Sequence, residues 1–390
     1  MNKATTIIIS IVAVLALILS GVAIYLLVGI SGEVSSLRGE VSNLTNLLEE
    51  ASSSVESIGS KVENLTGEIN KLKNPPKFPL TVVDALGRTV IVEEEPVRIV
   101  SMAPSVTEVL FALGLDDKVV GVTEYCNYPE KVLELVNEGK IQVIGGFTTP
   151  SVEKIVALNP DLVIGCKIHE KFIPLLESLG VNVLIVGDES VDDVYKSILL
   201  IGKACGVEDK ALNLVSSLKS SIRNVWDKVK DAAKPSVLII VWLKPLWVAG
   251  KKTYMDDLIS FAGGINAYSG EGWKSIDAET LLKLNPDIII ITGHAAPGQS
   301  PEEMLEYLKE TIPGWENISA VTNDRIYFLT GNAENALVRP GPRIASAIEV
   351  LAKIIHPEIF GEVDHIISEI GFIIQPIIPQ CTYIVIEEWN

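Results

Sequence analysis

An internal repeat constrains the fold of this chain more than any other sequence feature. The segment EKIVALNPDLVI begins at Glu153, and the segment ETLLKLNPDIII begins at Glu279, 126 residues later. Both contain the pattern E-x4-L-N-P-D-x2-I. In each copy a helical pattern ends near Asn-Pro and is followed at once by an apolar run typical of a buried strand. Two such units in phase predict two lobes built on the same plan.

The sequence around the repeat alternates short β-rich apolar runs with helical patterns, which indicates an α/β fold. Ser105 and Glu108 have the spacing of a capping box that begins a helix ending at Leu113. The clearest predicted strands are the runs RIVSMAP, KVVGVT, IQVIGG, DLVIGC, VNVLIVG, VLIIVWL and WVAG. The sequence therefore predicts many short strands connected by helices on both sides of the molecule.

A mostly helical stretch, residues 191–233, separates the two copies of the repeat. Its second part, residues 208–233, would measure about 40 Å at 1.5 Å per residue. A helix of this length is a stiff connection between lobes. We therefore predict an amino-terminal α/β lobe at residues 78–190 and a carboxyl-terminal α/β lobe at 234–360, joined by one long backbone helix.

Residues 1–32 are predicted to form a transmembrane anchor. No charged residue occurs between Ala4 and Gly32, and about 20 apolar residues suffice for a helix to cross the hydrocarbon core. A cleaved signal peptide has a shorter apolar region, and no cysteine follows the run to carry a lipid. Lys3 favours a cytoplasmic amino terminus. We expect a single-pass protein of the cell membrane whose binding domain is extracellular.

Residues 33–77 are predicted to form a coiled-coil stalk. Apolar residues recur with alternating spacings of four and three from Ile30 to Leu72, and this heptad has mostly Val and Ile at one core position and Leu at the other. That mixture favours a parallel two-stranded coil and therefore a homodimer. Three glycines within the repeat each cost about 1 kcal/mol relative to alanine, so a monomeric helical stalk is the alternative.

Charge and cysteine spacing exclude several classes of function. The 390 residues include 50 acidic and 32 basic side chains, a formal net charge of −18, whereas binding to nucleic acid requires a basic surface. No GxxxxGK[ST] loop is present, so we expect no ATP hydrolysis by this chain. The cysteines form no CxxC pair, which argues against zinc-ribbon and thioredoxin-type folds; they are Cys126, Cys166, Cys205 and Cys381.

Three runs resemble the substrate-binding proteins of metal-chelate ABC importers, in particular the vitamin B12-binding and ferric-siderophore-binding proteins. The runs are RIVSMAPSVTEVLFALGLDDKVVGVTEYCNYPEKV, GGFTTPSVEKIVALNPDLVI and WKSIDAETLLKLNPDIIIIT. The resemblance covers residues 98–355, in order. It implies two Rossmann-like lobes joined by a backbone helix, a ligand cleft between them, and neither an enzymatic reaction nor a resident cofactor. Residues 361–390 lie outside it and have no predicted role.

The resemblance also implies a docking role for one glutamate on each lobe. In the family these carboxylates contact arginines of the permease, and the matching residues here are Glu153 and Glu279, the repeat-related pair. Carboxylates held on separate lobes would supply charge complementarity and fix the register of docking. The alternative is that both are solvated glutamates that stabilise a helix amino terminus.

Four aromatic residues match the cleft aromatics of the B12-binding pattern. Tyr125 and Trp273 match in kind, whereas Phe147 replaces a tryptophan and Trp242 replaces a phenylalanine. Aromatic faces suit a flat macrocycle because they cover a large area with little loss of side-chain entropy. The alternative is that these residues pack in the core.

Two arginines and two histidines complete the predicted ligand site. Arg339 and Arg343, in the run RPGPR, resemble the arginines that ferric-siderophore and haem binders direct at anionic ligands; surface ion pairing is the alternative. His169 and His294 each follow the strand of their own repeat. Two imidazoles without a third ligand do not make a zinc or manganese site, so axial coordination to a chelated iron or cobalt is their remaining use as metal ligands.

The sequence therefore predicts a membrane-anchored, extracellular solute-binding protein that delivers a metal chelate to an ABC permease and its ATPase subunits. The chelate remains open between a cobalt corrinoid, a ferric siderophore and haem. One alternative is a receptor that signals through its coiled coil, although only three residues precede the apolar run. The other is a chelatase-like enzyme, for which we find no paired acid and base at catalytic spacing.

Overall fold

The computed structural model describes residues 78–361, two later strands at 372–375 and 383–388, and three helical residues, Ser54, Gly59 and Lys61. Contacts divide the chain into two compact units, Met1–Pro75 and Pro76–Asn390. The predicted anchor (1–32) and nearly all of the predicted stalk (33–77) lie outside the described residues. Within the described part of the chain, no helix combines the length and the apolar character needed to cross a membrane.

The amino-terminal half contains a parallel sheet preceded by an antiparallel hairpin. The hairpin pairs β1 (Leu80–Val83) with β2 (Thr89–Val92). The sheet has the order β5-β4-β3-β6-β7, in which the strands are β3 (Ile99–Ser101), β4 (Val119–Val122), β5 (Gln142–Val143), β6 (Leu162–Cys166) and β7 (Val183–Val186). Its helices are α1 (Pro104–Ala112), α2 (Lys131–Asn137), α3 (Val152–Ala157) and α4 (Ile173–Ser178). Strands β3, β6 and β7 are entirely buried, as expected where helices cover both faces.

Two helices connect the halves, α5 (Val191–Ala204) and α6 (Glu208–Val229). The predicted helical stretch at 191–233 is present as two packed helices, and the second begins at Glu208, as the sequence predicted. Gly202 allows the close contact, because a Cβ there would lie 2.3 Å from the Cβ of Ala211. Helix α6 has 22 residues, about 33 Å at 1.5 Å per residue, and leads into the second half.

The carboxyl-terminal half contains a mixed sheet of order β11-β9-β8-β12-β13-β15-β14, with β10 beside β8. Its strands are β8 (Ser236–Leu243), β9 (Leu246–Ala249), β10 (Ile265–Asn266), β11 (Trp273–Ser275), β12 (Ile288–Thr292), β13 (Ile326–Leu329), β14 (Phe372–Gln375) and β15 (Tyr383–Glu388). Its helices are α7 (Tyr254–Phe261), α8 (Ala278–Leu284), α9 (Pro301–Thr311), α10 (Ser319–Thr322), α11 (Gly331–Val338), α12 (Ile344–Ile355) and α13 (Pro357–Phe360). The tail, residues 361–390, thus supplies two strands to this sheet, and β15 runs parallel to β13.

The repeat has a structural equivalent in each half. Helix α3 leads into β6, and helix α8 leads into β12, with the same 126-residue offset between the two strands. Asn159 and Asn285 end the helical segments with φ values of 44° and 42°. Asparagine tolerates this left-handed conformation better than most residues, and the proline that follows prevents the helix from continuing. The prediction of two lobes built on the same plan is supported by these matched turns.

The aspartate of each repeat ties the turn to the first strand of its own sheet. One carboxylate oxygen of Asp161 accepts a hydrogen bond from the backbone N–H of Arg98, 2.8 Å away. In the other half, Asp287 accepts from both the backbone N–H and the hydroxyl of Ser236, each at 2.8 Å. In the LNPD sequence, the asparagine therefore ends the helix and the proline prevents it from continuing. The aspartate then forms hydrogen bonds with the neighbouring strand.

The prediction of a capping box at Ser105 and Glu108 is wrong. Helix α1 has Ala103 at its N-cap without a side-chain bond, and Pro104 occupies the first turn, where its missing N–H costs nothing. The Ser105 hydroxyl lies 4.0 Å from the Cys166 sulfur. The Glu108 side chain accepts hydrogen bonds from Arg339 and Arg343 of the carboxyl-terminal half instead.

Three of the four cysteines are buried free thiols: Cys126, Cys166 and Cys205. Burial raises the pKa of the Cys205 thiol to about 12. These side chains are therefore neutral at physiological pH and act as small core residues, as their scattered spacing predicted. Cys381 lies outside the described residues.

The left-handed turn at Asn159 gives a stability prediction. Asn159→Ala should lower the free energy of unfolding by about 1 kcal/mol, because a Cβ without a polar group is strained at this φ. Asn159→Gly is the control and should lose less, since glycine adopts positive φ freely. Urea denaturation of the full-length protein measures both. Equal losses for the two variants would contradict the role of the backbone angle.

Candidate functional site

Segments that leave the carboxyl ends of strands in the two halves contact each other. The start of helix α1, after β3, approaches the segment that follows α11, where a Cβ on Gly341 would lie 3.5 Å from the Cα of Ser105. Across the same boundary, Arg339 donates a hydrogen bond to the Tyr125 carbonyl at 3.1 Å. Ligands of α/β proteins bind outside the carboxyl ends of the strands. The candidate site is therefore the region beside these strand ends.

Three charged side chains form a buried ion cluster between the halves. Arg343 binds both carboxylate oxygens of Glu108, with Nε–Oε2 and Nη2–Oε1 distances of 2.9 and 2.7 Å, and Arg339 Nη1 lies 3.1 Å from Oε1. The Glu108 side chain is 2% exposed and each arginine 10%. Burial lowers the pKa of Arg339, and the Glu108 carboxylate opposes that shift. We call these three residues the ion cluster.

The remaining contacts of the arginines are also within the protein. Arg339 donates to the side-chain oxygen of Asn127 at 2.8 Å, and Arg343 donates to the Asn332 carbonyl at 3.2 Å. The Arg343 guanidinium also stacks on the Tyr128 ring, 4.0 Å from its centroid. The structure therefore directs both arginines at Glu108 and neighbouring neutral groups, whereas the sequence predicted contacts with an anionic ligand. Their burial also rules out the alternative of surface ion pairing.

Three of the four predicted aromatic residues are exposed. Tyr125 follows β4 and is 53% exposed, Trp242 near the end of β8 is 41% exposed, and Trp273 begins β11 and is 45% exposed. These values exclude core packing for the three side chains. Phe147 is partly buried against the amino-terminal core, with its ring edge-on to that of His169 at 5.2 Å.

Trp247 belongs with these aromatics, although the sequence analysis did not single it out. It is the cross-strand partner of Trp242, it is 37% exposed, and it also lies opposite Ser275 of β11. Directly opposed residues share a face of a sheet, as do residues two apart on one strand. Trp242, Trp247 and Trp273 therefore lie on one face, which we call the tryptophan face. The sequence WLKPLW, which has a tryptophan at each end of the hairpin turn, could have indicated this pairing.

His169 has a structural environment, which does not suit the axial coordination considered for it from the sequence. It is buried, its Nδ1 accepts a hydrogen bond from the Cys166 backbone N–H at 3.0 Å, and its Nε2 donates to the Phe147 carbonyl at 2.7 Å. Burial lowers the pKa of the imidazole, which keeps it neutral. Both ring nitrogens are engaged within the protein and neither can bind a metal.

His294 has the opposite environment. It lies in the turn after β12, and Glu334 accepts hydrogen bonds at 2.6 Å from both its backbone N–H and its Nδ1. Gly293 permits this approach, because a Cβ there would lie 2.9 Å from the Glu334 carboxylate. The contact raises the pKa of His294, while burial opposes the shift. With Nδ1 held by a carboxylate, Nε2 is the other ring nitrogen; it donates a hydrogen bond when the imidazole is protonated and offers a lone pair only when the ring is neutral.

Among the described residues, no group of three or more His, Cys, Asp or Glu side chains is placed to hold a metal ion.

Glu153 and Glu279 occupy equivalent places in the two halves. Each is the second residue of its helix, and both side chains are exposed. Glu279 pairs with Lys283 at 2.6 Å, and Glu153 accepts a weak bond from the Ser151 hydroxyl at 3.3 Å. Helices α3 and α8 return to the amino ends of β6 and β12, so their first turns lie toward the carboxyl edges. The two carboxylates are thus on the ligand side of their sheets.

The comparisons with known proteins identify the family. The model of the periplasmic binding protein family matches residues 99–333. The chain is a periplasmic binding protein. It is 37% identical over 298 residues to an uncharacterized ABC transporter substrate-binding lipoprotein, YvrC, of Bacillus subtilis, with 73% of this chain and 88% of that protein covered.

Further relatives of this periplasmic binding protein carry different ligand names. A cobalamin-binding protein of Halobacterium salinarum is 25% identical over 289 residues, covering 72% of this chain and 74% of the relative. The solved structure of the haem-binding protein RhuT from Roseiflexus is 27% identical, has a TM-score of 0.59, and covers 66% of this chain and 97% of that one. These relatives confirm the α/β binding-protein fold and a substrate-binding role in ABC import rather than catalysis.

The His294–Glu334 contact gives a prediction for titration. Glu334→Gln should lower the pKa of His294 toward its ordinary value, because the carboxylate favours the protonated imidazole. The stabilising contribution of this contact is present at low pH and is lost as pH rises through the pKa of His294 in the folded protein. NMR titration of the histidine ring protons measures the pKa. Glu358→Gln, beside His356, is the control and should leave the pKa of His294 unchanged; an equal fall in both variants would contradict the assignment.

Proposed function

We propose that this periplasmic binding protein captures a cobalt corrinoid outside the cell and delivers it to an ABC permease. The observation that carries the proposal is that both halves have exposed aromatic residues, with Tyr125 at the contact between them. Tyr125 is supplied by one half and the tryptophan face by the other. Aromatic surfaces on two sides of a site suit a wide, flat ligand, because each ring covers a large apolar area at low entropic cost.

The charge balance of the site supports a corrinoid over an acidic chelate. Glu108 engages both Arg339 and Arg343, so the two arginines predicted to meet a ligand anion have an internal partner. A corrin ring carries mainly neutral amide groups at its edge, whereas haem carries propionates. Displacing Glu108 from its arginines would leave a buried carboxylate without a partner, which is costly.

A second candidate ligand is haem, and one observation favours it. His294 has its Nδ1 bound to a buried carboxylate, the arrangement typical of a histidine that ligates a metal through Nε2. The same nitrogen could also bind the cobalt of a corrinoid. The histidine therefore does not distinguish haem from a corrinoid. The pairing of both arginines with Glu108 does, because it leaves them no free charge for haem propionates.

Delivery would use Glu153 and Glu279 as docking residues. Both are exposed on the carboxyl-edge side of their sheets, where a permease would receive the ligand. Charged groups at the margin of an interface contribute orientation and association rate more than affinity. The permease and its ATPase subunits would supply the energy of transport.

The amino-terminal segments complete the proposal. Residues 1–32 would hold the protein in the cell membrane with its amino terminus in the cytoplasm, and residues 33–77 would separate the binding domain from the membrane. The basis is the uncharged apolar run and the heptad that follows it. A parallel homodimer through the stalk would place two binding domains beside one permease.

The aromatic site makes a prediction for binding. Trp273→Ala and Trp247→Ala should each lower the affinity for the ligand by more than about tenfold, or about 1.4 kcal/mol in binding free energy. The reason is that each change removes a large part of the apolar wall. Titration of the full-length protein with cyanocobalamin, haemin and a ferric hydroxamate, followed by tryptophan fluorescence, identifies the ligand. Trp226→Phe, on α6 beside Lys234, is the control and should bind normally. Unchanged affinity in both alanine variants would remove the tryptophan face from the site.

Docking makes a separate prediction. Glu153→Ala and Glu279→Ala should leave ligand affinity unchanged and reduce uptake, because the carboxylates act on the permease and do not touch the ligand. Uptake of radiolabelled cyanocobalamin by cells, set beside titration of the purified variants, measures the two effects. Glu310→Ala, an exposed glutamate on α9, should change neither. A loss of affinity in the docking variants, or uptake equal to wild type, would contradict the assignment.

A further inference from the structure

The ion cluster contacts the loop that carries Tyr125. Arg339 belongs to the carboxyl-terminal half, yet it donates to the Tyr125 carbonyl at 3.1 Å and to the Asn127 side chain at 2.8 Å. Arg343 stacks on the ring of Tyr128. Residues 123–128, which we call the Tyr125 loop, are therefore held by two arginines from the opposite half.

The base of the Tyr125 loop is held by its own half. The Cys126 thiol is buried and lies 3.1 Å from the hydroxyls of both Thr107 and Thr123, and the Cys126 N–H donates to the Thr123 carbonyl at 3.1 Å. The loop is thus fixed to the amino-terminal core through Cys126 and to the carboxyl-terminal half through Arg339. A change in the position of Arg339 would reach Tyr125 directly.

We propose that Glu108 is a positioning residue for ligand capture: it fixes Arg339 and Arg343, and these hold the Tyr125 loop in its binding position before ligand arrives. This inference rests on the proposed function, since it gives Tyr125 a ligand to meet. Glu108 itself is 2% exposed and lies behind the arginines. It acts through them and does not touch the ligand.

The physical basis is preorganisation. A carboxylate that binds one guanidinium through both oxygens and a second through one of them holds the two arginine planes in a defined orientation. Without that carboxylate, two buried cations would repel each other and move toward water. A site whose aromatic wall is already in place loses less conformational entropy on binding. The expected effect of Glu108 is therefore on affinity and on loop order together.

A contact between the carboxyl-terminal half and the connecting helix α5 provides a control. The Asp257 carboxylate on α7 accepts a hydrogen bond at 2.9 Å from the backbone N–H of Val191, the first residue of α5. It is a partly buried carboxylate, and its hydrogen-bond partner lies outside the Tyr125 loop. Replacement of either acid by its amide removes one negative charge, but only Glu108→Gln should release the arginines.

The test compares wild type, Glu108→Gln and Asp257→Asn in the full-length protein. Hydrogen–deuterium exchange of peptides spanning residues 123–128, without ligand, reports the order of the loop, and peptides elsewhere report general loosening. Affinities for cyanocobalamin and haemin are measured in parallel. We expect Glu108→Gln to speed exchange of the Tyr125 loop and to weaken the probe that wild type binds, each by about tenfold, whereas Asp257→Asn should match wild type.

Several results would overturn the inference. Exchange of the loop and affinity both equal to wild type in Glu108→Gln would do so, as would faster exchange spread evenly over the protein. If Glu108→Gln does not fold, Asn127→Ala replaces it, because Asn127 is exposed and supplies one acceptor to Arg339. That variant should show the same effects at smaller size, and no effect would again refute the role of the cluster. Wild type that binds neither probe would count against the proposed ligand, while exchange would still test Glu108.

Discussion

One buried carboxylate shared by two guanidinium groups joins the halves of this protein at the edge where ligand would enter. Glu108 is on the first helix of the amino-terminal half, and Arg339 and Arg343 lie beyond residue 330. Charged groups are buried only when they are paired, because each would otherwise lose its hydration without compensation. The position of the Tyr125 loop depends on this pairing, and through it so does one wall of the candidate site.

The opposite wall is built on a different principle. Trp242, Trp247 and Trp273 are carried by β8, β9 and β11, which pair antiparallel at one side of the mixed sheet, so a hydrogen-bonded ribbon sets their spacing. The amino-terminal wall is a loop held from outside by arginines, and the carboxyl-terminal wall is a sheet that needs no such support. This asymmetry explains why loss of one distant carboxylate should disturb Tyr125 and leave the tryptophan face in place.

Much of the fold could be predicted from local pattern. The seven strands named from apolar runs are present, and the repeated LNPD turn has matching backbone angles at Asn159 and Asn285, because helix ends and strand starts are governed by residues a few positions apart. The capping box at Ser105 and Glu108 failed for the opposite reason. Spacing alone could not show that Pro104 begins the helix or that the glutamate has partners more than 230 residues away.

The sequence by itself determined the α/β class and the repeated helix–turn–strand unit in each half, since these follow from periodicity and from motifs within single segments. Only the tertiary structure decided which side chains are available to a ligand. His169 and His294 both follow repeat strands. His169 is buried and its ring nitrogens bond to two backbone groups, whereas His294 is hydrogen-bonded to the Glu334 carboxylate. Availability depends on what the rest of the chain brings alongside a residue, and no local pattern records those contacts.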